Sequence, residues 1–205
     1  MKTLLKFITV VLLVALLSGC AAMVVGGAAA TGAAVHDRRS VGTVVDDGVL
    51  RLRVRDALNA HPDFGASSRV RVMTHDGWVL LAGEAGSSDG VELASQIARQ
   101  VDGVIKLFNE LEPAPRVPIT QSNADRWLST RVNTSLTQLS NLPGFDPTRV
   151  KVTSTRGVVY LMGLVSRAEA EATTEHVRMV RGVERVVTIF QYTDERPEPV
   201  VSTRN

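Results

Sequence analysis

The sequence has a single cysteine, Cys20, which excludes an intrachain disulfide and a metal site built from several thiolates. Histidines are few and scattered, and no pair has the His-x-x-x-His spacing that puts two ligands on one helix face. The four are His36, His61, His75 and His176. The glycine-rich stretch 83–90 lacks the lysine of a phosphate-binding loop and is interpreted as a strand-to-helix turn. We expect no catalytic residues, no metal and no cofactor.

Charge of one sign is also not in excess, since 23 Lys and Arg stand against 21 Asp and Glu. Removal of residues 1–19, which hold two lysines and no acid, would leave 21 against 21. Nucleic-acid binding depends on a concentrated basic surface. A chain with balanced charge gives no support for it, so we expect no nucleic-acid partner.

The N-terminus has the three regions of an export signal. Lys2 and Lys6 give a positive start, residues 7–17 form an apolar run, and Ser18-Gly19 precede Cys20. The apolar run is 11 residues long, whereas a permanent membrane-spanning helix needs about 20. We interpret residues 1–19 as a signal peptide that is removed.

Leu17-Ser18-Gly19-Cys20 resembles the bacterial lipobox, whose cysteine receives a diacylglycerol and is then acylated on its new amino group. Several acyl chains on one residue give stable anchoring, so we predict lipidation at Cys20. The alternative is an ordinary signal peptide followed by an unpaired cysteine. Ala21 and Ala22 follow at the place where an Asp retains resembling proteins in the inner membrane, which favours the outer membrane. Residues 20–45, rich in Ala and Gly up to residue 34, are predicted to be the lipidated end and its tether, with a short surface helix as the other possibility.

The rest of the sequence is an internal duplication. Residues 47–58 align with 125–136 at an offset of 78, residues 77–83 align with 157–163 at an offset of 80, and residues 101–104 align with 180–183 at an offset of 79. Three ordered matches with small length differences in loops indicate two copies of one structural unit.

The residue pattern of each copy predicts the order helix, strand, strand, helix, strand. Apolar residues at helical spacing predict first helices over 47–60 and 125–139. Hairpin turns are predicted at 75–77 and 155–157, and serines at 87, 88 and 166 are candidate N-caps of the second helices. We therefore predict an α+β fold with domains at 46–113 and 121–193, each a small three-stranded mixed sheet packed on two helices. Residues 194–205 are predicted to be a flexible tail.

Two αββαβ units, each with Gly-Val after its second helix, resemble the BON domain. With the lipobox and the segment Arg39-Ser40-Val41-Gly42-Thr43, the chain resembles the dual-BON outer-membrane lipoproteins of Gram-negative bacteria. The resemblance implies a non-enzymatic protein, anchored in the outer membrane with its body in the periplasm. It implies binding of anionic phospholipids, such as phosphatidylglycerol and cardiolipin, through the first helix of the second BON domain. Enrichment at division sites, support of outer-membrane integrity and partners in the outer-membrane protein assembly machinery are also implied.

Trp127 is the residue of this helix that needs an explanation. On a helical wheel at roughly 100° per residue, residues 128, 132, 136 and 139 form the apolar stripe, while Trp127 falls on the polar side. An indole suits the depth of lipid headgroups, and nearby arginines can meet lipid phosphates. The predicted phospholipid-binding residues are Arg126, Trp127, Leu128, Thr130, Arg131 and Thr134.

Other interpretations stay open. Trp127 would also be explained by packing against the other domain or the linker. In the first repeat Val49 takes its place, and Asp56 stands where the second has Thr134, so a membrane contact is less expected there. Asn133 stands where a basic residue is typical of the family, which weakens the charge contribution. A protein-interaction adaptor for the assembly machinery is the alternative function, and an uncharacterised hydrolase is a third, without an identifiable nucleophile.

Overall fold

The computed structural model describes residues 41–62, 64, 68–142 and 144–193. The predicted signal peptide, Cys20, most of the predicted tether and the tail 194–205 lie outside these residues. Among the described helices, none has both the length and the hydropathy that crossing a membrane requires.

The first repeat has the predicted order of elements. Helix α1 spans Val41–Ala60, strands β1 and β2 span Arg69–His75 and Trp78–Glu84, helix α2 spans Ser88–Arg99, and strand β3 spans Lys106–Glu112. Strand β2 is central and pairs antiparallel with β1 and parallel with β3.

The second repeat copies this plan. Helix α3 spans Ile119–Leu136, strands β4 and β5 span Val150–Thr155 and Val158–Val165, helix α4 spans Arg167–Arg178, and strand β6 spans Arg185–Tyr192. Short 3-10 turns at Thr137–Asn141 and Pro147–Arg149 join α3 to β4. Strand β5 is central, antiparallel to β4 and parallel to β6. The predicted α+β fold with two αββαβ units and mixed sheets is confirmed.

Both first helices begin six residues before their predicted starts at Asp47 and Asp125. Pro118 is the N-cap of α3, and a proline cannot lie inside the helix, so α3 begins directly after it. The two aspartates therefore lie inside their helices, and their carboxylates accept hydrogen bonds from the backbone of the adjacent hairpin turns. Asp47 accepts from the N–H of Asp76 at 2.8 Å, and Asp125 accepts from the N–H of Arg156 at 2.9 Å.

These hairpin turns require a left-handed backbone. Asp76 and Gly77 have φ of 51° and 74°, and Arg156 and Gly157 have φ of 50° and 76°. Positive φ at both central residues is the geometry of a type I′ turn, whose twist matches that of the two strands it joins. The glycine in each turn supplies the second of these conformations without steric cost.

Residues 86–90, Gly-Ser-Ser-Asp-Gly, fit the letter pattern of a Gly-x-Ser-x-Gly nucleophile elbow, although sequence analysis interpreted this stretch only as a turn. The structure supports the turn. Ser87 caps α2 by accepting a hydrogen bond from the N–H of Gly90 at 3.1 Å. Ser88 begins α2 and is exposed, and it makes no hydrogen bond to a histidine among the described residues. The motif therefore serves helix capping.

Each sheet packs one face against the helices of its own repeat. In the first repeat, Val54 and Leu58 of α1 meet Val79 and Leu81 of β2. In the second, residues 128, 132 and 136 of α3 meet Val159 and Leu161 of β5. Side chains alternate along a strand, so the neighbours of these residues point to the opposite face.

The opposite faces of the two sheets pack against each other. Leu80 and Ala82 of β2 form one apolar cluster with Val158, Tyr160 and Met162 of β5. All eight residues of β5 are consequently buried. The described body is thus layered, with both sheets inside and the helices of each repeat on its outer sides.

Trp78 and Phe108 lie at the margin of this cluster. Their ring centroids are 5.3 Å apart, and Lys106 Nζ lies 4.5 Å from the centroid of Trp78. A cation over an aromatic face at this distance is favourable. These two aromatic side chains therefore have a packing role at the edge of the cluster.

Polar groups close the edge of the contact between the sheets. Glu84 is fully buried and accepts hydrogen bonds from Thr155 Oγ1 and Arg156 Nε, both at 3.2 Å. Lys151 Nζ donates to the carbonyl of Thr74 at 2.6 Å. Each of these bonds joins one repeat to the other, so they add directional contacts to the apolar packing.

Tyr160 provides a test of this packing. Burial, followed by the negative charge of Glu110, raises the pKa of Tyr160 to about 12. Because this pKa exceeds the ordinary value near 10, the neutral phenol stabilises the folded state below about pH 10. That contribution is lost as the pH rises toward about 12. We expect the difference in unfolding free energy between wild type and Tyr160→Phe to fall by on the order of 2 to 3 kcal/mol over this range.

Urea unfolding at several pH values between about 8 and 12 measures this difference. Tyr192→Phe removes the other phenol, at the end of β6, and is the matched control. Parallel stability curves for wild type and Tyr160→Phe across the whole range would contradict burial of Tyr160 between the sheets.

Candidate functional site

Helix α3 is held in place by Asp125, which is 1% exposed. Its Oδ1 accepts hydrogen bonds from the backbone N–H of Arg156 at 2.9 Å and from Gln121 Nε2 at 3.2 Å. Its Oδ2 accepts one from Arg69 Nη2, in the first repeat, at 3.1 Å. One buried carboxylate therefore links α3 to its own hairpin and to strand β1.

The backbone at this position is fixed as well. Ser154 Oγ, on β4, donates to the carbonyl oxygen of Asp125 at 2.5 Å, and Ser129 Oγ donates to the same oxygen at 3.1 Å. The residues that directly follow, Arg126 and Trp127, are therefore carried on a well-supported turn of helix.

Asp47 has the corresponding role in the first repeat. Its carboxylate accepts from the N–H groups of Asp76 and Gly77, at 2.8 Å and 3.2 Å, and its carbonyl accepts from Thr74 Oγ1 at 2.8 Å. The aligned aspartates are thus structural in both repeats. The bond to Arg69 is the addition that connects the second repeat to the first.

The outer face of α3 carries two large apolar side chains in water. Trp127 is 71% exposed and Ile119 is 70% exposed. At roughly 100° per residue they share this face with Asn123, Thr130 and Thr134, all of which are exposed. A tryptophan that is exposed to this extent leaves a large apolar area in contact with water, so Trp127 is a candidate for contact with a binding partner.

The same face has no exposed carboxylate. Asp125 is the only acid in the sequence of α3, and it is buried and bound to Arg69. The charged side chains exposed on α3 are therefore the cations Arg126 and Arg131. Helix α1 differs, because Asp46 and Asp56 are both exposed on it.

Five of the six predicted phospholipid-binding residues lie on the exposed surface of α3. They are Arg126, Trp127, Thr130, Arg131 and Thr134. Leu128 is the exception, since it is 7% exposed and packs in the core of the second repeat. Its place in the apolar stripe of the helix explains this burial, and it is not available for a surface contact.

The two arginines of α3 stand on opposite flanks of Trp127. Arg131 Nη1 donates to the carbonyl of Arg181 at 2.6 Å, so its guanidinium is held beside the turn after α4. Arg126 makes no hydrogen bond or ion pair with any described residue, although its carbonyl accepts from Thr130 Oγ1 at 3.0 Å. One cation is therefore fixed and the other is available.

Trp127 also borders two surface depressions. One, of about 1010 Å³, lies between α3 and the linker at Pro115–Pro118, and Arg131 and Arg156 line it. The other, of about 270 Å³, is lined by Asn123, Arg126, Trp127 and Thr130. Both are open and shallow, as expected of a surface that meets another surface and not of an enclosed ligand pocket.

The helix of the first repeat that matches α3 is less suited to an anionic surface. Val49 and Leu52 are 40% and 43% exposed, which is less than Trp127. Arg55 Nη2 lies 3.1 Å from Asp56 Oδ1, so one of the cations of helix α1 is already neutralised by an acid of the same helix. Among the described residues, no three His, Cys, Asp or Glu side chains are grouped in a way that would hold a metal ion.

The sequence patterns did not reveal the residues of other elements that hold α3 in place. Arg69 and Arg156 reach Asp125 and Glu84 across sequence separations of 56 and 72 residues. The spacing of charged residues along a strand does not show which carboxylate they meet. The aligned Asp47 and Asp125 were a signal for the site, because an acid kept at the same place in both copies points to a shared structural role.

Comparison with known protein families shows which domain family the two repeats belong to. The BON domain family matches residues 46–115 and 124–194, which is more than half of the chain. The chain therefore belongs to the BON domain family, with two copies of the domain.

Most of the chain is also similar to individual known proteins. It is 34% identical over 178 residues to the outer membrane lipoprotein DolP of Haemophilus influenzae, covering 87% of this chain and 91% of the relative. It is 35% identical over 156 residues to the 21 kDa hemolysin of Actinobacillus pleuropneumoniae, covering 76% of this chain and 79% of that protein. The predicted resemblance to dual-BON outer-membrane lipoproteins is confirmed.

A solved structure of CdsD, a structural protein of the type III secretion system of Chlamydia trachomatis, is also similar. It aligns with a TM-score of 0.30 and 11% identity over 70% of this chain and 92% of its own.

The carboxylate of Asp125 gives a testable prediction. Asp125→Ala removes one partner of a buried ion pair and leaves Arg69 and the N–H of Arg156 without their acceptor. We expect a loss of about 3 to 5 kcal/mol in unfolding free energy. Asp47→Ala, which removes two acceptors for turn N–H groups, should cost about 1 to 3 kcal/mol.

Chemical denaturation of both variants measures the two losses. Asp125→Asn keeps an oxygen that can accept from Arg156 but loses the charge that meets Arg69, so it should fall between wild type and Asp125→Ala. Equal stability of Asp125→Ala and wild type would contradict the proposed role of this carboxylate.

Proposed function

We propose that this protein is a non-enzymatic, lipid-anchored outer-membrane protein whose helix α3 binds anionic phospholipids and thereby supports outer-membrane integrity. The observation that carries the proposal is Trp127, 71% exposed on a helix face without an exposed acid. Phosphatidylglycerol and cardiolipin are the lipids that we expect it to bind.

The chemistry of the face fits the interfacial region of a bilayer. An indole has a large apolar body and one N–H donor, and this combination suits the depth of the headgroups. Arg126 and Arg131 flank it, and each cation near an anionic membrane contributes about 1 kcal/mol of attraction. Ile119 adds a second apolar side chain, 70% exposed, near the start of the same helix.

Lipidation at Cys20, outside the described residues, would make a weak contact sufficient. An anchored body is confined near the membrane, so binding by α3 becomes an intramolecular step at high effective concentration. The contact then determines orientation and lipid preference, while the acyl chains determine location. Enrichment at the division site is proposed as a consequence of lipid preference.

A second candidate function is a protein-interaction adaptor for the outer-membrane protein assembly machinery. The observation that favours it is the exposure of Ile105 and Met179, at 76% and 87%, on surfaces outside α3. Single exposed apolar residues are common, however, and neither of these two is an aromatic side chain suited to the membrane interface. Photo-cross-linking from position 127 in cells separates the two functions, since lipid or protein would be the captured species.

Replacement of Trp127 tests the lipid function. The 21–205 fragment carrying Trp127→Ala should bind phosphatidylglycerol vesicles at least several-fold more weakly in co-sedimentation, because the side chain that enters the headgroup layer is removed. Its unfolding midpoint should stay within error of wild type, since the indole is exposed.

Val49→Ala is the matched control, because Val49 aligns with Trp127 in the first repeat. It should leave binding unchanged. In a Trp78→Phe background, the emission of Trp127 should shift to the blue on anionic vesicles and not on phosphatidylcholine vesicles. Unchanged vesicle binding by Trp127→Ala would refute the proposal.

Replacement of Cys20 tests the anchor separately. Cys20→Ala should abolish incorporation of labelled fatty acid and release the body from washed outer membranes, because Cys20 is the only cysteine of the sequence. Ser18→Ala, which retains a small residue before the cysteine, is the control and should leave labelling intact. Retention of label in Cys20→Ala would show that the predicted lipid attachment is wrong.

A further inference from the structure

The outer edge of strand β6 differs from that of its counterpart β3 in the first repeat. Both are edge strands, since each is hydrogen-bonded to the central strand of its sheet on one side only. Residues 107, 109 and 111 of β3 correspond to residues 186, 188 and 190 of β6, because they pair with aligned residues of β2 and β5. The two edges can therefore be compared position by position.

In the first repeat, the side chain of Asn109 closes this edge. Its Oδ1 accepts a hydrogen bond from the backbone N–H of Leu111 at 3.1 Å. Its Nδ2 donates to the carbonyl of Val91 at 2.8 Å and to Ser95 Oγ at 2.6 Å, both on α2. One side chain thus occupies an N–H group of the strand edge and bridges the space between β3 and α2.

The same edge is open in β6. The N–H of Leu111 bonds to Asn109, so it points away from β2, and the corresponding N–H of Phe190 points away from β5. Thr188 takes the place of Asn109 and is exposed. On this outer side, neither Thr188 nor Phe190 makes a hydrogen bond to any described residue.

Helix α4 does not close the edge either. Ala170 and Thr174 take the places of the two α2 residues that bind Asn109. Thr174 Oγ1 donates to the carbonyl of Ala170 at 2.6 Å, so these two groups bond within the helix. They line a depression of about 400 Å³ together with Thr188 and Phe190. A groove between α4 and β6 therefore runs beside the open edge.

Strand β6 also lacks the features that usually protect an edge. Edge strands of natural proteins carry charged residues, prolines or bulges that discourage pairing with another chain. Residues 186–192 contain no charged residue and no proline, whereas β3 has Lys106, Glu110 and Glu112. An uncharged edge whose backbone groups are exposed is a template for a further strand.

The charges beside the edge indicate which segment would fit. The Arg167 guanidinium lies 4.7 Å from the ring centroid of Tyr192, and Arg178 donates to Glu175. Glu171 lies between these groups on α4, is exposed and lines the groove. It makes no hydrogen bond or ion pair with any described residue. The uncommitted charge of the groove is therefore negative, which complements a basic side chain.

We propose that the outer edge of β6 binds an extended segment of a partner protein as an added strand, with a basic side chain of that segment beside Glu171. Outward N–H and C=O groups at every second residue match another extended backbone. Hydrogen bonds between the main chains would supply affinity, and the groove would select alternate side chains. The segment would cover the N–H of Phe190 as Asn109 covers that of Leu111.

This inference goes beyond lipid binding and does not depend on it. No residue of α3 lines the groove, so the two surfaces can be occupied at the same time. A protein contact at β6 is the kind of contact that the second candidate function requires.

The test uses the full lipidated chain in phosphatidylcholine nanodiscs and a synthetic peptide of alternating lysine and valine, eight residues long like β6. Amide hydrogen exchange in β6 should slow at least several-fold when the peptide is added, because the N–H groups of Thr188 and Phe190 become bonded. The same peptide with every backbone nitrogen methylated cannot donate hydrogen bonds, so it should leave the exchange unchanged.

Three variants test the residues that define the groove. Thr188→Asn copies the closing residue of the first repeat and should weaken peptide binding about fivefold, because its side chain takes the N–H of Phe190. Glu171→Lys should weaken it by about fivefold as well, since attraction is replaced by repulsion. Glu92→Lys changes the aligned exposed residue of α2 and is the matched control, which should bind like wild type.

Both changed residues of the groove are exposed, so the thermal midpoints should stay near that of wild type. If Thr188→Asn lowers the midpoint, Glu171→Lys and the methylated peptide decide the question without it. Equal peptide binding by Glu171→Lys and Glu92→Lys would overturn the assigned basic side chain.

Two results overturn strand addition itself. They are equal slowing of exchange by the methylated peptide, and no slowing by the unmodified peptide at about 1 mM. Slow exchange in β6 without peptide would mean that the edge is already occupied. A dimer would then assign it to a second copy of the chain, and fast exchange after removal of residues 194–205 would assign it to the C-terminal end of the same chain. Either result overturns the partner assignment.

The two proposals fail separately. Trp127→Ala should keep the full response to the peptide, and Thr188→Asn should keep the full binding to phosphatidylglycerol vesicles. Loss of vesicle binding in Thr188→Asn, with an unchanged thermal midpoint, would show that the two surfaces are not independent and would overturn the inference.

Discussion

The packing of one sheet against the other is the constraint on which the rest of the described structure depends. A three-stranded sheet with two helices on one face has a second apolar face that water would otherwise reach. Here Leu80 and Ala82 of the first sheet and Tyr160 and Met162 of the second cover each other. Each repeat therefore supplies the missing layer of the other, and the buried bonds of Glu84 and Asp125 can form only because the two faces meet.

This packing also explains why α3 is suited to a surface role. The helix presents an indole to water, which is unfavourable for the isolated protein, yet its inner side is fixed by the core at Val132 and Leu136 and by the bonds of Asp125. A contact residue on a rigid helix loses little conformational freedom when it binds. The support comes partly from strand β1 through Arg69, so the position of the exposed face of α3 depends on both repeats together.

Much of the fold was predictable, because local signals and the duplication agreed. The turns at Asp76-Gly77 and Arg156-Gly157 and the capping serines follow from residue type. The starts of α1 and α3 were placed too late, since Asp47 and Asp125 bind hairpin N–H groups and do not mark helix ends. Burial of β5 on both faces had a signal, because Val158–Val165 is an unbroken apolar run apart from its glycine. The partners of Arg69 had no such signal, since they arise from contacts between distant segments.

The layered order of the body gives it two outer sides with different chemistry, although both descend from one duplicated unit. Helices α1 and α2 cover one side and α3 and α4 cover the other, with both sheets between them. If α3 faces a bilayer, the sheets act as a spacer that points α1 away from it, into the aqueous compartment. Val49 and Trp127 are aligned residues of the two copies, so divergence at this one position gives the two outer sides different exposed side chains.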